Sequence, residues 1–145
     1  MTGDTIAVRD DEKLPAEALQ AYLNGRLPGS DNPLQIRQFG GGAANLTYLL
    51  NYGTHEYVLR RPPLGPIAKS AHDMGREYQV LSVLHRAFPY APQALHHCVN
   101  AAVIGAPFLI MTRKRGIVVR REMPSIYQQP DAARRMSFAL IDTLA

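Results

Sequence analysis

QIRQFGGGAANLTYLLNYGTHEYVLRRPP, residues 35–63, sets three consecutive glycines between two apolar runs and closes on two arginines and two prolines. The flanking runs, 34–39 and 46–52, carry leucine, isoleucine, tyrosine and phenylalanine side chains that suit a pleated, half-buried surface. Asn51 to Thr54 supply a turn into a third run, 55–61, where Tyr57, Val58 and Leu59 favour a strand. Connections this short join antiparallel neighbours, so the stretch predicts three strands of one antiparallel sheet. The glycines leave two readings open: a hairpin turn or bulge, or a loop whose backbone lies against a phosphate.

Gly40, Gly41 and Gly42, with Asn45 three residues on, fit G-x-G-x-x-N. A backbone that approaches a phosphate closely needs residues without Cβ, and asparagine is the next best residue at positive φ. The spacing is similar to the glycine-rich loop of protein kinases, with Asn45 in place of the last glycine. A strand and not a helix follows, which argues against a dinucleotide fingerprint, and no G-K-S/T is present for a P-loop. Alternation along HEYVLRR puts Val58 and Arg60 on one face and Tyr57, Leu59 and Arg61 on the other. In the kinase arrangement a small apolar residue covers adenine there, and a cation two residues later holds the α- and β-phosphates. Arg60 stands where a lysine is usual; by itself it reads equally as a surface arginine beside Pro62. Farther on, Ser70 with Asp73 reads as a capping box, and Met74, Tyr78, Leu81, Leu84 and Phe88 recur at helical spacing to about residue 86. Glu77 sits at the edge of that apolar stripe, where a carboxylate needs a partner. Arg60 is one candidate; Arg76 or solvent is the other.

Upstream, LPAEALQAYLNGRL places Leu14, Ala18, Leu19, Tyr22 and Leu23 at helical spacing before Gly25, while residues 1–13 read as a polar, flexible N-terminus. Downstream, Pro89 and Pro92 end the second helix, and runs 94–99 and 103–111 predict two further strands about a turn at Asn100. Gly116 and Pro124 bracket a connector over 113–129. From about 130, DAARRMSFALIDTLA is helical, with Ala133, Met136, Leu140 and Leu144 on one side and no C-terminal stop signal, the pattern of a truncated helix. The expected fold is α+β: a five-stranded antiparallel sheet over 14–112 with a helix packed on it, an N-terminal helix before it and the truncated helix after it.

The chain has 145 residues, 46% hydrophobic and 19% charged, which fits one globular domain and excludes a disordered or fibrous chain. Its net charge of +4 comes largely from Arg113, Lys114, Arg115, Arg120 and Arg121. That cluster is either a solvated basic connector or a seat for an anionic partner; nucleic acid is disfavoured because no aromatic residues interleave with it. The single cysteine, Cys98, excludes an intramolecular disulfide, reads as a small core hydrophobe and fits a reducing compartment. Without an export signal or a long apolar window, the expectation is a cytoplasmic chain with no membrane partner. His96 and His97 adjoin in a strand and point to opposite faces, and His72 with Asp73 reads as a polar pair in a first helical turn, so no metal site is predicted.

The segments QFGGGAANLTYLL, YVLRRPPLG, AHDMGREYQVL and IGAPFLIMTRKRG stand in this order within residues 14–145. On them the chain resembles the aminoglycoside-phosphotransferase-like family of kinase-fold enzymes, in the branch associated with acyl-CoA dehydrogenases. The resemblance implies a protein-kinase-like small lobe that binds ATP: a glycine-rich loop over 40–45, Val58 against adenine, Arg60 as the phosphate-binding cation and Glu77 as its helix partner. It further implies a hinge over 111–116, beginning at Met111, with Thr112 and Lys114 offering backbone groups to adenine. The implied activity is phosphoryl transfer from ATP, Mg²⁺-dependent in the family, to an alcohol, with a hydroxyacyl-CoA suggested by the branch. The family's large lobe supplies an H-G-D-x-x-x-x-N loop and a further aspartate for Mg²⁺. No His-Gly-Asp occurs here, and after Met111 the acidic residues are Glu122, Asp131 and Asp142. The chain is therefore expected to be the nucleotide-binding part of a phosphotransferase, inactive alone. The alternative is a non-catalytic module that self-associates or docks on a second protein through the face left by the absent lobe, near Met111, Met136 and Leu140.

Overall fold

The computed structural model describes residues 4–41, 44–66, 73–119 and 121–145. Residues 1–114 and 115–145 form two separate units. The first unit is built on a six-stranded antiparallel sheet: β1 (Thr5–Ile6), β2 (Gln35–Phe39), β3 (Leu46–Asn51), β4 (Glu56–Arg61), β5 (Ala94–Cys98) and β6 (Phe108–Thr112). Their spatial order is β1-β2-β3-β4-β6-β5, and each neighbouring pair is antiparallel. Helices α1 (Ala16–Leu23) and α2 (Met74–Ala87) complete the unit.

Alternation along the strands sorts side chains between two cores. Tyr57 and Leu59 of β4 and Phe108 and Ile110 of β6 join Leu19 and Leu23 of α1, with Tyr48 and Leu50 of β3, in the larger one. Leu109 and Met111 of β6 turn the other way, into a smaller core with Ala94 and Met74, against which Val58, Tyr78 and Leu81 pack. The sheet thus has an α1 face, which carries the larger core, and an α2 face, which α2 covers at its β5–β6 side.

Three sequence expectations change. Six strands replace the expected five, because residues 5–12, read as flexible, are bound to the sheet. Thr5 pairs with Phe39, and Thr5 Oγ1 and carbonyl oxygen accept from the Arg37 guanidinium at 2.9 and 3.1 Å. Behind it, Tyr48 Oη donates to the Glu12 carbonyl at 2.7 Å, and the buried Gln38 bonds both the Arg9 amide and the Glu12 carboxylate. The last strand begins at Phe108 and not at 103, because Asn100 Oδ1 caps a turn at Ala102, Gly105 sits at φ 86° and Pro107 has no N–H to offer a ladder. Helix α2 begins at Met74: its N-cap is Asp73, whose Oδ1 accepts from the Arg76 amide at 3.1 Å. Ser70 and His72 lie outside the described residues.

His96 and His97 do face opposite ways. His96 Nε2 hydrogen-bonds Tyr22 Oη at 2.8 Å on the α1 side, and His97 stacks on Tyr78 of α2 with ring centroids 5.6 Å apart. Cys98 is a buried free thiol in the larger core. The second unit holds a single helical turn, Ser125–Tyr127, and α3 (Ala132–Leu144). Met136 is half-buried, and Phe138, Leu140, Ile141 and Leu144 are exposed. No helix among the described residues is long and apolar enough to cross a membrane.

Candidate functional site

The α2 face assembles the residues singled out by the sequence into rows. Val58 stands opposite Leu49 on one side and Met111 on the other; Arg60 stands opposite Thr47 and Leu109. A row of apolar side chains therefore runs beside a row that carries the cation. Arg60 leaves β4 toward α2, and its Nη1 meets Glu77 Oε1 at 2.5 Å. Glu77 can be there because the Asp73 cap starts the helix at Met74, which places Glu77 in the first turn with its amide on the Asp73 carbonyl. Of the two partners left open for Glu77, the structure selects Arg60.

The pair is only partly withdrawn from water: the Arg60 side chain is 37% exposed and that of Glu77 22%. One guanidinium nitrogen is fixed by the carboxylate, while Arg60 Nε is buried without a partner among the described residues. An oriented arginine with an uncommitted N–H is suited to an additional acceptor.

Gly40 and Gly41 follow β2 directly. Gly41 has φ 91°, a conformation side chains with Cβ rarely adopt, so glycine is required there by backbone geometry. At Gly40 a Cβ would meet Ile6 at ordinary contact distances, 3.7 and 3.8 Å, so the packing does not demand glycine. Gly42 lies outside the described residues. Asn45 precedes β3, and its Oδ1 is buried without a partner among the described residues. Because β3 runs beside β4, Asn45 enters the sheet at the end where Arg60 stands.

At the other end of the apolar row, Met111 is buried in the smaller core. The Thr112 amide donates to the Gln93 carbonyl at 3.0 Å, and its hydroxyl accepts from the Gln93 amide at 2.9 Å. Its N–H is thus already committed. Lys114 Nζ donates to the Pro89 carbonyl at 2.8 Å, which anchors the residue to the loop between α2 and β5, and its backbone has no hydrogen-bond partner among the described residues.

Arg113, read from sequence as one residue of a basic run, behaves differently. Its side chain is 11% exposed, with Nη2 on Asp4 Oδ2 and Nη1 on Glu56 Oε2, both at 2.7 Å. Burial works to lower its guanidinium, but the hydrogen bonds to Asp4 and Glu56 outweigh that and hold it above its usual value. Its carbon centre lies 5.8 Å from the Phe39 ring. Nothing local in the sequence signals these contacts.

A profile described as the phosphotransferase enzyme family matches residues 35–145. The whole chain is 35% identical to the rat protein named acyl-CoA dehydrogenase family member 11, of which it covers 19%. The mouse protein named acyl-CoA dehydrogenase family member 10 is 34% identical over 81% of the chain and 11% of its own length. The chain therefore spans a small part of the curated relatives it matches. A crystal structure from Ralstonia eutropha JMP134, described as a candidate aminoglycoside phosphotransferase, is similar with a TM-score of 0.60 and 28% identity, over 74% of this chain and 30% of that one. The neighbour is a kinase-like phosphotransferase fold, in keeping with the α+β architecture.

Proposed function

The chain belongs to the phosphotransferase enzyme family, and from that premise we propose that its α2 face is the phosphate-holding half of an ATP site. The observation that carries the reading is the Arg60–Glu77 pair, 2.5 Å between strand and helix, beside a glycine-containing turn. A guanidinium on a strand has many rotamers; a carboxylate on a packed helix leaves it few, so less entropy is lost when a phosphate is gripped. The residues present fit a phosphate in two respects. Arg60 keeps an uncommitted Nε–H, and Gly41 holds a backbone conformation open to close approach. Val58, Leu49 and Met111 would meet the base as an apolar row. When bound, ATP supplies the transferable phosphoryl group; the residues named here bind and orient it.

No residue of the chain is assigned to Mg²⁺ or to deprotonation of an acceptor. Phosphoryl transfer depends on positioning nucleotide, metal and acceptor together, so the 145 residues are proposed to bind nucleotide without turning it over. The acceptor is proposed to be an alcohol. A hydroxyacyl-CoA is the acceptor proposed, supported by the acyl-CoA dehydrogenase names of the curated relatives, and part of such a longer protein is where this site would act.

Calorimetric titration of ATP, with and without Mg²⁺, into the chain and into Arg60→Ala tests the reading. Loss of charge-assisted phosphate contacts is expected to weaken ATP about ten- to a hundredfold. A folded chain that binds no ATP, or a variant that binds it equally well, would overturn the proposal.

A further inference from the structure

Arg113 reaches farther than its position suggests. It follows β6, yet its guanidinium holds Glu56 at the start of β4, Asp4 just before β1, and lies against Phe39 at the end of β2. In the sheet, β3 separates β4 from β2. Glu56 shares a face with Val58 and Arg60 by alternation along β4. Phe39 is on that same face: Val58 is opposite Leu49, Leu49 is opposite Arg37, and Phe39 is two residues beyond Arg37. A guanidinium that touches both ends therefore crosses β3 on the α2 face, over the position of Leu49. Leu49 agrees with this, since it is 4% exposed although it joins neither apolar core.

We infer that Arg113 is a strap across the base-facing half of the proposed nucleotide site, latched by Asp4 and Glu56, and that a base enters when the latch opens. The inference rests on the ATP-site reading and adds a residue that governs access to it. Its chemistry is simple. Arg113 satisfies two carboxylates in a setting with little water, where each charge-assisted bond is stronger than at the surface. An incoming adenine, which carries no charge, has nothing to exchange for those ion pairs and must displace the side chain. Asp4 contributes one of the two latches from the segment before β1, so that segment controls a site built by β2, β3, β4 and β6.

The test is the affinity of ATP and of adenosine for the full chain, for Asp4→Ala, for Arg113→Ala and for Arg60→Ala, with far-ultraviolet circular dichroism to establish that each is folded. Opening the strap is expected to tighten both ligands roughly two- to fivefold, the scale of one ion pair, and more in Arg113→Ala than in Asp4→Ala. Arg60→Ala is expected to weaken ATP and leave adenosine unchanged. Should Arg113→Ala fail to fold, Asp4→Ala alone decides, because the Asp4 side chain is 35% exposed and closes no core. If the strap variants bind no more tightly than the wild type while Arg60→Ala still weakens ATP, the strap is wrong and the phosphate site stands. If no variant and no wild type binds either ligand, both are wrong.

Discussion

Arg60 and Arg61 adjoin in β4 and meet opposite environments. Arg60 projects to the α2 face and pairs with Glu77; Arg61 projects to the α1 face, is 7% exposed, and donates to the Ile104 and Pro62 carbonyls at 3.0 and 3.3 Å. The two-residue period of a strand decides which arginine can meet a ligand, and that period was legible in HEYVLRR. Arg113 was not, because its partners Asp4 and Glu56 lie 109 and 57 positions away and only the folded sheet brings them together. A second residue-scale consequence concerns His96. Burial, then the Arg26 cation and His97, hold its imidazole below the ordinary 6.5. As pH falls through 6.5 the unfolded chain takes up a proton that the folded chain resists, so the unfolded state binds more protons and stability declines toward acid. Urea unfolding between about pH 7.5 and 5.5 should show a loss of stability in the wild type that is smaller in His96→Gln. Equal losses in the two proteins would contradict this.

Among the elements, β2, β3 and β4 were readable because each carries strand-favouring apolar residues, with strict alternation in β4, and because turn chemistry separates them, such as Asn51 Oδ1 accepting from the Gly53 amide at 2.7 Å. The two-residue β1 was not readable. Its stability comes from Arg37 and Phe39, far along the chain, and not from its own propensity. The start of β6 differs from the sequence expectation for the opposite reason: Val103 and Ile104 have strand propensity, but the turn at 100–105 and Pro107 override it. Strand β6 also lies between β4 and β5 and contributes to both cores. Phe108 is fully buried, with its ring edge against Tyr22 at 5.9 Å. Phe108→Ala should therefore cost about 3–5 kcal/mol of unfolding free energy, measured by denaturant titration. A cost near zero would mean that β6 does not organise the unit.

For the molecule as a whole, one sheet serves two purposes by using its faces differently. The α1 face buries most of the large apolar side chains, while the α2 face leaves part of its area to Arg60, Val58 and the turn at Gly41. The chain belongs to the phosphotransferase enzyme family, resembles a kinase-like phosphotransferase structure, and spans a small part of its much longer curated relatives. The central claim is that Arg60 and Glu77 act on nucleotide as one unit. A double-mutant cycle on ATP affinity, with Arg60→Ala, Glu77→Ala and both together, measures it directly. If Glu77 works through Arg60, the second substitution adds little to the first, and the coupling is expected at about 0.5–3 kcal/mol. Strictly additive losses, or full ATP affinity without Glu77, would contradict the account.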